Sequence, residues 1–93
     1  MQPLLPLIPK GATAINDYVS VWREEDTWTY FVGGMPVFSQ PAEDRRQFRF
    51  IIAQLCTSGS CRQCEIIRTF GISKNCVVRA VRKLREQGAE GFF

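Results

Sequence analysis

The chain has 93 residues, of which 45% are hydrophobic and 23% are charged, and it carries a formal net charge of +3 without any histidine. This composition is typical of a globular domain, and the length excludes large catalytic architectures such as a (β/α)8 barrel, which need about 250 residues. Because histidine is the usual general base near neutral pH and the commonest metal ligand, cysteine and carboxylate side chains are the only candidate reactive groups. We therefore predict one small domain over residues 1–93 and no enzymatic activity.

Residues 1–17 are predicted to form an extended arm that contains three prolines. Pro3, Pro6 and Pro9 interrupt an apolar run, and Lys10 follows that run, whereas the positive charge of a secretory signal precedes it. The spacing of three is also the polyproline II period, so a ligand for an aromatic-lined groove is an alternative. No segment approaches the roughly 18 consecutive apolar residues of a membrane span. We expect a cytoplasmic, nucleoid-associated protein with no membrane partner and with reduced thiols.

The segment 18–39 is predicted to form a three-stranded antiparallel β-meander. It is rich in Val, Thr and aromatic residues, and turn-like residues punctuate it at 23–26 and 33–36. The predicted strands cover 18–23, 27–32 and 35–39. Because side chains alternate along a strand, the large aromatics can bury one face of this small sheet, and stacking on single-stranded bases is the alternative.

A helical period begins after Pro41. Acidic residues at 43–44 favour a helix N-terminus, and apolar residues then recur every three or four positions. This stripe consists of Phe48, Ile51, Ile52 and Leu55. It predicts a first helix that ends near 57–59.

Two further helices are predicted. Ser60 and Gln63 have the spacing of a capping box, which predicts a second helix over 61–70. Gly71 can take the left-handed conformation that ends this helix, and Ser73 is placed to cap a third helix over 74–87. The predicted fold class is therefore α+β, with the meander followed by a three-helix unit over 42–88.

The last two helices and the short turn between them are typical of a helix-turn-helix. Residues 62–85 contain seven Lys or Arg and a single acid, Glu65, which is the charge pattern of a polyanion-binding face. We predict that helix 74–87 enters the major groove of double-stranded DNA. The residues expected to lie in the groove are Lys74, Asn75, Val78, Arg79 and Arg82. The residues expected to contact phosphates are Arg62, Arg68, Lys83 and Arg85.

The stretch EIIRTFGISKNCVVRAVRKLREQGAEGFF resembles the N-terminal helix-turn-helix of bacterial insertion-sequence transposases and related recombinases. The matching positions are Ile66, Phe70, Gly71, Ile72, Ser73, Val77, Arg79, Leu84, Arg85, Glu86, Gly88 and Gly91. The resemblance implies DNA binding in a transposase-like protein that acts in DNA recombination. It also implies that the chain is a fragment of a longer parent, whose metal-dependent catalytic domain is not part of it. Other domains of that parent, or a second copy of the chain, are then the expected protein partners.

A protein-interaction or regulatory module without direct DNA binding is the alternative function. In that case the basic helix is only a solvated surface, and the sheet or the arm docks onto another protein. A large exposed patch around Trp22, Trp28 and Tyr30 would favour this alternative.

The four cysteines are expected to be core or partly exposed thiols, since free cysteine behaves as a small hydrophobe. Their spacing leaves open a tetrahedral zinc site made of Cys56, Cys61, Cys64 and Cys76. Otherwise no cofactor is expected. A redox-active pair of Cys61 and Cys64 is a further alternative. Both lie at a predicted helix N-terminus beside Arg62, and such an arrangement lowers the pKa of a thiol.

Overall fold

The structure, a computed structural model, describes residues 11–93. The described chain divides into two compact units, residues 11–43 and Asp44–Phe93. The three prolines of the polyproline alternative lie outside the described residues, as does most of the predicted arm. The first unit is a sheet and the second is helical, so the α+β class agrees with the sequence. The single domain over 1–93 stays a prediction.

The prediction of three strands is wrong, because the sheet has four. The strands are antiparallel and lie in the order β1-β2-β3-β4. Their bounds are Thr13–Ala14, Val19–Arg23, Thr27–Val32 and Met35–Pro41. Gly33 and Gly34 join β3 to β4 with φ values of 63° and 85°, which is the left-handed pair that a tight two-residue hairpin turn requires.

The additional strand, β1, belongs to the segment that the sequence predicts as an extended arm. It pairs with residues 20–21 of β2. The side-chain oxygen of Asn16 accepts hydrogen bonds from the backbone N–H groups of Tyr18 and Val19, both at 2.7 Å, and so folds the chain back toward β2. A strand of two residues has no readable side-chain period, which is why the pattern alone did not predict it.

The aromatic residues of the sheet are not a large exposed patch. Tyr30 is fully buried, and its hydroxyl donates a hydrogen bond of 2.7 Å to the side-chain oxygen of Gln40, which is buried as well. Trp22 and Trp28 are half-buried. The patch that would favour the protein-interaction alternative is therefore absent from these three positions.

Three α-helices and a short 3-10 helix form the second unit. The bounds are Arg45–Thr57 for α1, Gln63–Phe70 for α2, Lys74–Gln87 for α3 and Gly88–Phe92 for the 3-10 helix. Asp44 caps α1, since its carboxylate accepts a hydrogen bond of 3.0 Å from the backbone N–H of Gln47. This bond lowers the pKa of the Asp44 carboxyl, because it favours the charged form.

The predicted capping box of Ser60 and Gln63 is wrong. The N-cap of α2 is Arg62, whose backbone N–H donates to the Glu65 carboxylate at 2.8 Å. Ser60 instead makes its hydrogen bonds within the preceding turn. Its backbone N–H donates to the carbonyl of Leu55 at 3.0 Å, and its hydroxyl is hydrogen-bonded to the Ser58 hydroxyl. The helix therefore begins two residues later than predicted.

Small residues at the α1–α3 contact form a distinct cluster in the second unit. Ala53 and Ala80 are buried together with Phe92, and Phe50 and Leu84 pack against them. Side chains this small let the two helix backbones approach closely. Within residues 11–93, no helix is long and apolar enough to cross a membrane.

Candidate nucleic-acid interface

The turn that joins α2 to α3 has the predicted construction. Gly71 adopts the left-handed conformation at φ 66° and ψ 28°, and its N–H donates to the carbonyl of Ile67 at 2.9 Å. Ser73 caps α3, because its hydroxyl accepts a bond of 3.1 Å from the N–H of Cys76. Both sequence predictions for this turn are confirmed. The chain thus forms two helices, of 8 and 14 residues, separated by a turn over 71–73.

α3 has one buried side and one exposed side. Val77, Ala80 and Val81 are buried. With about 100° of rotation per residue, Asn75 and Arg82 point away from this buried stripe. Every predicted cationic contact is exposed, namely Lys74, Arg79, Arg82, Lys83 and Arg85 on α3 and Arg62 and Arg68 at the two ends of α2.

Val78 does not lie at the centre of the exposed face. It is half-buried and sits on one flank of α3. The five residues predicted to lie in the groove are centred about 40° toward that flank from the centre of the exposed residues, at 100° per residue. The central positions are Asn75, Arg79, Arg82 and Glu86. The last of these is acidic, so the centre of the exposed face is cationic only as far as Arg82.

Sequence reasoning missed two cations on α1. Arg49 joins residues of α3 around an open groove of about 500 Å³. This groove, named the α1–α3 groove below, is lined by Arg49, Ser73, Asn75, Cys76, Arg79, Ala80, Lys83 and Phe92. A second groove of about 310 Å³ shares Arg49 and Lys83 and adds Arg46. The three arginines at 45, 46 and 49 were the available sequence signal for cations on α1. Which of them faces α3 depends on how the two helices pack.

Phe92 lies close to Lys83, one of the two cations that the grooves share. The ammonium of Lys83 lies 5.5 Å from the centroid of the Phe92 ring, at cation–π distance. The same ring makes an edge contact with Phe50, with centroids 5.6 Å apart. The cation–π contact with Phe92 therefore favours a position of the Lys83 ammonium beside the groove. Arg62 and Arg68 line neither groove.

The four cysteine thiols differ in their exposure to solvent. Cys61 is buried, Cys56 and Cys76 are half-buried, and Cys64 is exposed. Among residues 11–93, no three Cys, Asp or Glu side chains converge where they could hold a metal ion. The zinc alternative therefore has no support from the geometry.

The environment of Cys61 does not favour the redox alternative. Burial, with smaller contributions from Cys56 and Glu65, raises the pKa of the Cys61 thiol to about 12, and burial also raises the pKa of Cys56. A thiol at the start of a helix would have its pKa lowered, but α2 begins only at Gln63, and Cys61 is a buried residue in the turn before it. Cys61 is thus a poor nucleophile at neutral pH.

Comparisons with protein-family models, with curated proteins and with solved structures found no match. The resemblance of the C-terminal segment to transposase helix-turn-helix domains therefore stays a prediction. The functional argument depends on the geometry and charge of α1, α2 and α3.

Proposed function

We propose that residues 44–93 bind double-stranded DNA, with α3 in the major groove. The observation that carries this proposal is the exposed face of α3 over residues 74–82, where Asn75, Arg79 and Arg82 lie opposite the buried stripe. In helix-turn-helix proteins the N-terminal residues of the second helix contact base edges. An α-helix of about 10–12 Å diameter fits a major groove about 12 Å wide.

The residues at the centre of this face suit base recognition. The amide of Asn75 can pair with the N6 and N7 atoms of adenine, and the guanidinium of Arg79 or Arg82 can pair with O6 and N7 of guanine. Each such bidentate pair contributes about 1–3 kcal/mol of discrimination against the wrong base. We assign these three residues to sequence reading.

The cations on the flank of α3 and on α2 suit the DNA backbone. Lys74 and Arg85 lie on the Val78 flank of α3, and Arg62 and Arg68 are exposed on α2. Contacts to phosphates fix the orientation of a protein on the duplex but carry no sequence information. These four residues would therefore govern affinity and its salt dependence.

The resemblance of residues 65–93 to transposase helix-turn-helix domains supports a role in DNA recombination. In this proposal the chain supplies DNA recognition in a transposase-like bacterial protein, and catalysis belongs to another part of the parent. Selection of bound duplexes from a random pool tests this role, because a transposase domain should recover one asymmetric site. Recovery of a palindrome would instead support a dimeric transcription regulator.

The direct test of DNA binding is fluorescence anisotropy of a labelled duplex at about 50 and 200 mM salt. We expect binding that weakens steeply with salt and that falls at least about 5-fold in Arg82→Gln, since a base contact is worth about 1–3 kcal/mol. Arg45→Gln is the matched control, because Arg45 is also exposed on a helix of the same unit but lines neither groove. Absence of binding at 50 mM, or equal losses in the two variants, would refute the proposal. Circular dichroism establishes that both variants are folded.

Protein binding by the sheet is a second candidate function, which a different surface favours. Tyr18 is 59% exposed, Met35 57% and Val37 51%. The Tyr18 ring lies over Gly33, since a Cβ built there would be 2.9 Å from it, and Met35 follows the same turn. If the duplex does not bind, pull-down with Met35→Glu against wild type tests this surface.

A further inference from the structure

We infer that the α1–α3 groove holds a backbone phosphate of the bound duplex, with Arg49 and Lys83 as its principal contacts. This inference rests on the proposed DNA binding by α3. It assigns a DNA-binding role to α1, the helix that stands outside the helix-turn-helix.

Three cations from two helices meet at this groove. Arg49 comes from α1, and Arg79 and Lys83 come from α3. Ser73 and Asn75 add hydrogen-bonding groups at the same wall. Across both grooves and within residues 11–93, Glu90 is the single acidic side chain in the lining. The local charge therefore favours an anion.

The chemistry of the cations favours phosphate. A guanidinium presents a planar pair of donors that matches two phosphate oxygens, and an ammonium adds a compact charge. The Phe92 ring restrains the ammonium of Lys83. The groove is open and wide, which suits a polymer backbone that passes through it.

The position of the groove on one flank of α3 indicates that the anion is a phosphate of the DNA backbone. A helix in the major groove has one phosphate backbone on each side, since the groove is about as wide as the helix. Lys74 and Arg85 lie on one flank of α3, and Lys83 lies on the other flank, where Arg49 joins it. Both flanks thus carry cations, as the two walls of the major groove require.

The buried cluster of Ala53, Ala80 and Phe92 explains how Arg49 reaches this flank. Arg49 precedes Ala53 by four residues and so lies one turn earlier on the same side of α1. Since Ala53 shares a buried cluster with Ala80 of α3, the side chain one turn earlier stands beside the N-terminal part of α3. The packing of two small residues therefore places a cation of α1 next to the DNA-reading helix.

The test compares Arg49→Gln with Arg45→Gln, which remove the same charge from the same helix. One phosphate contact contributes about 0.9 to the slope of log affinity against log salt. Loss of that contact should reduce the weakening between 50 and 200 mM salt by about 3.5-fold. We expect Arg49→Gln to show this loss equally on random and selected duplexes, and Arg45→Gln to keep the wild-type slope.

Each outcome separates the two proposals. If wild type binds, Arg82→Gln weakens binding, and the two α1 variants have the same salt slope, the groove inference is wrong and the proposed function stands. If wild type does not bind any duplex, the proposed function itself fails. If Arg49→Gln changes sequence preference without changing the slope, Arg49 contacts a base and the assignment to phosphate is overturned.

Discussion

Replacing Gly71 by alanine strains the backbone of the turn without creating a clash with any other part of the protein. Gly71 has φ 66° and ψ 28°, and a Cβ built there would meet no atom within 4 Å. An L-residue in this left-handed conformation costs about 1–2 kcal/mol, whereas the loss of glycine freedom in the unfolded chain returns about 0.4–1 kcal/mol. We therefore expect Gly71→Ala to lower the free energy of unfolding by about 1 kcal/mol.

Thermal unfolding followed by far-UV circular dichroism measures this change. For a chain of this size, about 1 kcal/mol corresponds to a fall of about 4–8 °C in Tm. Gly71→Asn is the matched variant, because asparagine tolerates the left-handed region better than alanine does, and its Tm should lie between those of Gly71→Ala and wild type. An alanine variant that melts with wild type, or an asparagine variant that melts below the alanine variant, would show that left-handed strain is not what makes Gly71 necessary.

Two further perturbations test the charge and the thiols of the helical unit. Glu86→Gln should raise affinity for a random duplex about 2- to 5-fold in anisotropy, since it removes a repulsion of up to about 1 kcal/mol in water; the same gain from Glu24→Gln, on the β2–β3 turn, would contradict this. Cys61 should resist iodoacetamide at pH 8 while exposed Cys64 reacts, as judged by mass spectrometry, and equal labelling of the two would refute its burial. Because the pKa of Cys61 is raised from about 8.5 to about 12, its stabilising contribution is complete below about pH 8.5 and is lost as pH rises toward 12. The urea midpoint of wild type should therefore fall more between pH 8 and 10 than that of Cys61→Ala.

Elements with a repeating pattern and local end signals were predictable from the sequence. The strand over 27–32 and the helix over 74–87 were predicted with the bounds that the structure shows. Each combines a clear period with residues that stop it, such as Gly33 after the strand and Ser73 before the helix. Such signals act within a few residues of one another, so a linear reading includes them.

Features that depend on competition for a hydrogen-bonding group, or on the packing of one helix on another, were not predictable. The capping box at Ser60 has the right spacing, but the C-terminal turn of α1 already uses the N–H and hydroxyl of Ser60. Arg46 and Arg49 join the candidate site through the packing of α1 on α3, where Ala53 and Ala80 share a buried cluster, and packing between residues 27 positions apart has no local signature. The cationic face of α3 was predictable because its members are close in sequence.

The strand order of the sheet has a consequence for how the chain is made. Every strand pairs with the strand next to it in sequence, so each hairpin closes over a short loop, and an isolated hairpin forms in about 1–10 μs. Translation at about 5–20 residues per second takes several seconds to add residues 42–93. The hairpins of the sheet can therefore sample their pairing many thousands of times on the ribosome before α3 has been synthesised.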